Sequence, residues 1–313
     1  MTDAFGVSIG KRPLQELLRS HAEWLSDPAR GRRFQLAGIT LNELDLRSAA
    51  LAGAALDGVT FLDADLSLAD LSAAVLNSVD FSGALLNGTD FSQARVSRGR
   101  FLHSHVSGAH FIESRIDDSA FRGAMLEKVG FHDSMIVNTT FAGATLTGAG
   151  FHQARLAECD FSQVKISGAQ FSRTQLQHCR LAGARGEAPG FSHCRAKSAD
   201  FSRAELTDAR FDGADLQSCY FVCSDLDGAD FRGASFGGSD FSGALLRNAR
   251  FGGAKMFGAN FCGADLSGAR ELTAQQLQQV RTDSTTVLPN GSHGPYMKFS
   301  GAERPVVVRL RWA

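Results

Sequence analysis

The 313-residue chain predicts an all-β solenoid. Three observations lead there. Stepping by five from Leu36 to Leu266 meets 47 positions without an insertion or deletion, and 45 of them are Leu, Phe, Ile, Val or Met, the exceptions being Gly186 and Ala196. Five residues carry an α-helix through about 500° and turn a strand's side chain to the opposite face, so neither element buries such a pattern on one side. The chain must turn a corner every five residues. Corner chemistry is present: Gly recurs two residues after the apolar site, as at Gly213, Gly228, Gly233 and Gly238, where it supplies a positive φ. Two residues before the apolar site the side chain is nearly always small, as at Ala64, Ala69, Ser104, Ala214 and Ala229, which marks a second, tighter inward position.

Taken in order, residues 1–33 form an N-terminal cap helix and linker. "PLQELLRSHAEWL" places Leu14, Leu17, Leu18, His21 and Leu25 at helical spacing behind Pro13, and "SDPARGRR" links it to the first repeat. Residues 34–270 are the repeats. Within them, sites ending in 1 are Phe from Phe61 to Phe261 except Leu71 and Leu181, while sites ending in 6 are mostly Leu, Ile or Val, so the period is at least ten. Residues 271–291 read as a C-terminal cap helix and turn, with Thr273 as N-cap, Leu277 and Val280 on one side, and "LPNG" closing it. Residues 292–313 are a tail in which "ERPVVVRLRWA" is strand-like: it pairs with the last coil, pairs with another chain, or stays loose.

The segments "ADLSLADLSAA" (64–74), "ADLQS" (214–218), "ADFRG" (229–233) and "ANFCGADLSGA" (259–269) resemble the A(D/N)LXX units of the pentapeptide repeat family. The resemblance implies a right-handed quadrilateral β-helix with four pentapeptides per coil. On that basis the repeats make about 12 coils and a rod of about 56 Å at about 4.8 Å per coil, with Phe on two opposite walls, Leu on the other two, and a short α-helical cap at each end.

Composition suits a dry stack: 24 Phe against 2 Tyr and 2 Trp, with 33 Gly. A filled interior is a poor setting for catalysis. Of His103, His105 and His110, the first two have only Gly83, Leu85, Gly123 and Met125 beside them one coil away, and the group reads as a solvated corner. Cys159, Cys179 and Cys219 share one small inward column and read as buried thiols rather than disulfides. No CxxC pair, phosphate loop or nucleophile with its base stands out. The expectation is a protein that is not an enzyme, with no catalytic residue, metal, cofactor or small-molecule substrate.

The surface carries the functional signal. Formal net charge is -1, which gives no global field toward nucleic acid or anionic lipid. Locally, residues 34–90 hold eight acids against Arg47 alone, and Asp63, Asp65, Asp70, Asp80 and Asp90 form a candidate acidic patch. Farther on, Arg95, Arg115, Arg155 and Arg195 share one column, interrupted by Met135 and Gln175, as a candidate partner-binding stripe. At Gly186 and Ala196 both Leu walls are lost at one level and Pro189 replaces a small residue, which predicts a waist: a kink, cavity or bulge near 184–190, where filling both sites with Leu raises stability if it is only a packing defect.

Two main readings follow: a non-enzymatic scaffold that binds a macromolecular protein partner through flat faces, or, as the resemblance implies, a DNA mimic that binds and protects DNA gyrase from quinolones or albicidin. Charge in the middle of the chain argues against the second. A host-targeted secreted effector is a third class. The resemblance also implies a homodimer through the C-terminal segment. No apolar leader and no stretch near 18 apolar residues appears, so a cytoplasmic location without membrane contact is the default.

Overall fold

A computed structural model describes residues 2–3 and 7–305; of the strand-like stretch expected at 303–313, residues 303–305 form no strand and the rest lies outside the described residues. The chain divides into two compact units, Met1–Lys165 and Ile166–Ala313. Each is a parallel β-solenoid in which a residue pairs with the one twenty positions on.

In the first unit a bridging residue occurs in every five-residue step, so four short strands complete one circuit: Ala55 pairs with Val75, Thr60 with Asp80, Asp65 with Leu85 and Asp70 with Asp90. One of the four faces is a continuous sheet, in which three-residue strands from Gln35–Ala37 through Ala55–Asp57, Val75–Asn77, Arg95–Ser97, Arg115–Asp117 and Met135–Val137 to Arg155–Ala157 pair in register. Phe rings at twenty-residue offset stack along a wall, and those at ten-residue offset meet edge to face. Phe101 lies 4.3 Å from Phe121 with rings nearly parallel, while Phe111 and Phe121 are 5.9 Å apart at 84°. Both geometries suit the ring quadrupole. Hydroxyls at the small inward positions are satisfied locally, as when Ser104 and Ser134 donate to the Phe101 and Phe131 carbonyls at 2.9 and 2.8 Å.

The second unit repeats the plan: Asp200 pairs with Tyr220, Glu205 with Asp225, Arg210 with Asp230 and Arg195 with Asp215. Phe211 and Phe231 stack at 5.1 Å with their rings 3° from parallel. Its sheet-like strand is Gln175–Gln177; from Arg195 on, that column holds a single bridging residue followed by a turn.

All corner residues from Gly38 to Gly268, two after each apolar site, have positive φ, between 47° and 73°. Many are not Gly: Asp63, His103, His193 and Asp208 hold the same left-handed conformation. Gly therefore has a second task at some corners. A Cβ on Gly213 would lie 2.4 Å from His193 Nδ1, and one on Gly83 would lie 2.1 Å from Asp63 Oδ1. The corner side chain of one coil occupies the space above the next coil's Gly.

At the start, helix α1 (Leu14–Ser26) buries Leu14 and His21, but Leu25, expected on its inner face, is 40% exposed. His21 Nδ1 accepts the Phe34 N–H at 3.0 Å, its ring stacks on Trp24 at 5.3 Å, and Arg33 donates to the Gly53 carbonyl. These contacts seat the helix on the first coil. In the second unit α2 (Ala274–Leu277) is one short turn with a complete capping box: the Gln276 N–H donates to Thr273 Oγ1, and the Thr273 N–H to Gln276 Oε1. The turn is spliced into the last circuit, so Asn260 pairs with Arg281 and Asp265 with Val287, spans longer than the usual twenty.

Gly186 lies in a regular ladder. Its N–H donates to the Glu205 carbonyl at 2.9 Å, Ala188 N–H donates to Thr207, and Gly190 pairs with both Gln170 and Arg210. A Cβ at Gly186 would lie 2.7 Å from the Ile166 carbonyl carbon and the Ser167 nitrogen. The backbone of the neighbouring coil already occupies the place that a larger side chain needs, so filling this site is not open to the chain.

Candidate interaction surfaces

Each five-residue step sends one residue outward at the bridging position, and these outward residues line up twenty apart. Where this position is Asp, its carboxylate usually accepts the backbone N–H two residues on: Ser67, Ser72, Ser82 and Ser92 donate to Asp65, Asp70, Asp80 and Asp90 at 2.8–2.9 Å. The side chain thereby satisfies a turn donor that no ladder partner takes. In the second unit Asn260 does the same for Cys262. Asp at this position thus serves the turn as well as the surface charge.

The five candidate acids do not converge on one face. Asp70 and Asp90 share a column, Asp65 and Asp80 stand in two others, and Asp63 occupies a corner. Asp65 is only 7% exposed and lies 3.8 Å from Arg47, whose primary partner is Asp45. The hydrogen bond from Arg47 holds the Asp45 carboxyl at about 2, well below the usual carboxylate range.

The arginine column is real in the first unit. Val75, Arg95, Arg115, Met135 and Arg155 succeed one another in register on the sheet face. Arg115 is engaged by Asp117 at 2.7 Å and touches Met135 Sδ, whereas among the described residues Arg95 and Arg155 form no ion pair. A groove of about 670 Å³ runs over these strands, with Asn77, Gln93, Arg95, Glu113 and Asp117 among its lining. Arg195 stands in the second unit, between Gln175 and Asp215 in its column.

The second unit holds a feature that reading along the chain missed. Two adjacent faces, residues 180–189, 200–209, 220–229, 240–249 and 260–269, carry Glu187, Asp200, Glu205, Asp208, Asp225, Asp227, Asp240 and Asp265 against Arg180, Arg185, Arg203 and Arg247, with Arg180 and Arg185 at the lower end paired to Asp200 and Glu205 at 3.8 and 3.4 Å. The other two, residues 170–179, 190–199, 210–219, 230–239 and 250–259, carry Arg173, Arg195, Lys197, Arg210, Arg232, Arg250 and Lys255 against Asp212, Asp215 and Asp230. Opposite charges alternate along the sequence and separate only when the chain is wound. Tyr220, 53% exposed, stands on the acidic side between Asp200 and Asp240. Counting charge at the twenty-residue period would have revealed the split.

Cys194, Cys219, Cys223 and Cys262 are free thiols, and Cys159, Cys179, Cys194 and Cys219 are buried. Burial pushes the Cys194 thiol far up and Cys219 up to about 12, and Cys219 donates to the Ala196 carbonyl. Neither can present a thiolate nucleophile. Among the described residues no three His, Cys, Asp or Glu side chains are placed to hold a metal ion, and no helix is long and apolar enough to cross a membrane.

A pentapeptide repeat region model matches residues 154–231, and a pentapeptide repeats model matches 64–101, 131–163, 224–261 and 246–270. No curated protein matches the chain. Among solved structures, HetL, a pentapeptide repeat protein involved in heterocyst differentiation regulation from the cyanobacterium Nostoc sp. strain PCC 7120, is 26% identical. The match covers 90% of this chain and 99% of HetL at a TM-score of 0.35. QnrB1, a plasmid-mediated fluoroquinolone resistance protein, is 19% identical over 60% of this chain and 91% of its own, with a TM-score of 0.33. A pentapeptide repeat protein from the Arabidopsis thaliana thylakoid lumen is 23% identical over 43% of this chain and 67% of its own, with a TM-score of 0.20. With family models on more than half of its residues, an unbroken five-residue register and twenty-residue pairing, the chain belongs to the pentapeptide repeat family.

Proposed function

We propose that the protein is a non-enzymatic scaffold whose outer faces dock a macromolecular protein partner. The observation that carries this reading is the sorting of charge in the second unit, an arrangement that the packing of Phe, Leu and Ala inside does not require. Opposed charged faces give orientation and speed to protein encounters. Replacing Asp200, Asp225 and Asp240 with Asn tests it by affinity capture: a partner held by native protein is lost from the variant, and retention of every captured protein refutes docking on this side.

The same acidic side favours a second reading, in which closely spaced carboxylates imitate DNA phosphates and engage DNA gyrase. A supercoiling assay with a quinolone decides it. Inhibition or protection by native protein that disappears in the triple Asn variant supports gyrase binding; no effect at any ratio removes it.

The proposal includes right-handed winding and a covering role for the two helices, which a crystal structure tests. It also includes a homodimer through the C-terminal segment, supported by Met297 and Phe299 at 66% and 90% exposure. Light scattering of the Met297→Ser, Phe299→Ser variant tests this, and an unchanged mass refutes it. The free thiols of Cys194, Cys219, Cys223 and Cys262 support a reducing, cytoplasmic setting, testable by fractionation.

A further inference from the structure

Beside Ala196 the second unit carries a surface notch of about 400 Å³ lined by Gln175, Gln177, His178, Arg195, Lys197 and Ser198. Three of these side chains are basic, the others offer amide or hydroxyl groups, and none is a carboxylate. The notch coincides with a change in the backbone. Below it runs the three-residue strand Gln175–Gln177; above it Arg195 is a single bridging residue followed by a turn.

Ladder bonds hold on either side, from Leu176 N–H to the Arg195 carbonyl at 2.7 Å and from Asp200 N–H to Cys179 at 3.1 Å. At the corner itself one is missing. Ser198 N–H donates to the Gln217 carbonyl and Ser218 N–H to Gly237, but among the described residues no corresponding bond joins His178 N–H to Lys197. The same corner also lacks a side-chain cap. Asp215 caps the Gln217 N–H and Asp200 the Ser202 N–H, whereas the equivalent position before Lys197 is Arg195, which has no acceptor to offer. Arg195 and Lys197 make no ion pair among the described residues, and Asp215, next in the column, keeps its carboxylate on Gln217.

We infer that this notch is a binding site for a phosphate group, whose oxygens take the place of the capping carboxylate that Arg195 displaces. Arg195 offers a planar fork, Lys197 a point charge, and Gln175, Gln177 and Ser198 neutral donors, a set that matches the several acceptor oxygens of a phosphate monoester. The volume exceeds that of the bare ion and leaves room for a small phosphorylated molecule, which is held and not turned over. The inference stands independently of which partner the faces dock.

Isothermal titration of the full chain with inorganic phosphate, ribose 5-phosphate and ribose tests it. Ribose 5-phosphate is expected to bind and ribose not to. Arg195→Ala and Lys197→Ala each weaken binding about tenfold, the loss of one charge-assisted hydrogen bond. Arg250→Ala and Lys255→Ala, on the same two faces, leave it unchanged. Arg195→Asp restores an internal cap, so it abolishes binding while the thermal midpoint holds or rises, which separates a lost site from a lost fold. Tighter binding of ribose 5-phosphate than of phosphate assigns the source to a phosphorylated metabolite, and equal binding to the free ion. Absence of heat with both phosphates, or an equal loss in the Arg250→Ala control, overturns the proposal.

Discussion

Gly186 shows how a single position can be conspicuous in sequence for one reason and constrained in space for another. The broken apolar register marks it, and an empty site to be filled is the natural reading. The neighbouring peptide at 2.7 Å shows instead that even a methyl group must push backbone, not a yielding side chain. Gly186→Ala is therefore expected to destabilise the protein by about 1–3 kcal/mol in urea unfolding, the usual cost of overpacking, where a simple packing defect would have been improved. The approach of two backbones leaves no trace in side-chain spacing, so it was not legible. His21 is a second such residue. Helical spacing placed it inward, but not as the acceptor for Phe34. Burial, with Arg33 nearby, holds its pKa below the ordinary value of 6.5. The folded protein then binds fewer protons than the unfolded chain just below that value. Stability is accordingly full above about pH 6.5 and is lost as pH falls from there toward the depressed folded pKa. His21→Asn, which keeps an acceptor but does not titrate, is expected to flatten that part of a plot of thermal midpoint against pH.

Among elements, the aromatic walls were the most legible, because an alternation of Phe and Leu at ten residues has few other physical solutions. Phe111 touches Phe91 and Phe131 in its own stack and meets Phe101 and Phe121 edge-on. Phe111→Ala removes all four contacts and should cost about 3–5 kcal/mol in the same measurement. Phe61, with a ring contact to Phe81 from one side, should cost less. The two helices were legible to different degrees. Thr273 as N-cap located the start of α2, but the part played by Gln276 was not read: its side chain completes the capping box and its Nε2 donates to the carbonyls of Phe251 and Ala254 at 2.9 and 3.0 Å. Gln276→Ala is expected to lower stability by about 2 kcal/mol, more than the cap alone, with Thr273→Ala as the comparison. The change from strand to turn between Gln177 and Lys197 was not legible, because the five-residue register passes through it unaltered.

For the molecule as a whole, a net charge of -1 conceals faces of opposite sign in the second unit. Reading in linear zones grouped Asp63, Asp65, Asp70, Asp80 and Asp90 as a patch, although winding disperses them, and overlooked acids that winding collects. The Asp side chains also serve the turns, and there Asn supplies an acceptor of the same shape, as Asn260 demonstrates. The triple Asn variant of Asp200, Asp225 and Asp240 should therefore stay within about 0.5 kcal/mol of native stability for each change, checked by thermal unfolding, while its surface potential changes sharply. The interior repeats its demand for Phe and then a branched apolar residue every ten positions, but the exterior has a longer memory. Loss or duplication of ten residues within the second unit would keep Phe over Phe, leave the packing satisfied and carry every downstream outward residue halfway around the circuit. Tyr220 and its neighbours would then face a different direction. Gene rearrangements in such chains can thus rewrite what the surface says without disturbing what holds it up, and only excisions of twenty residues would be silent on both counts.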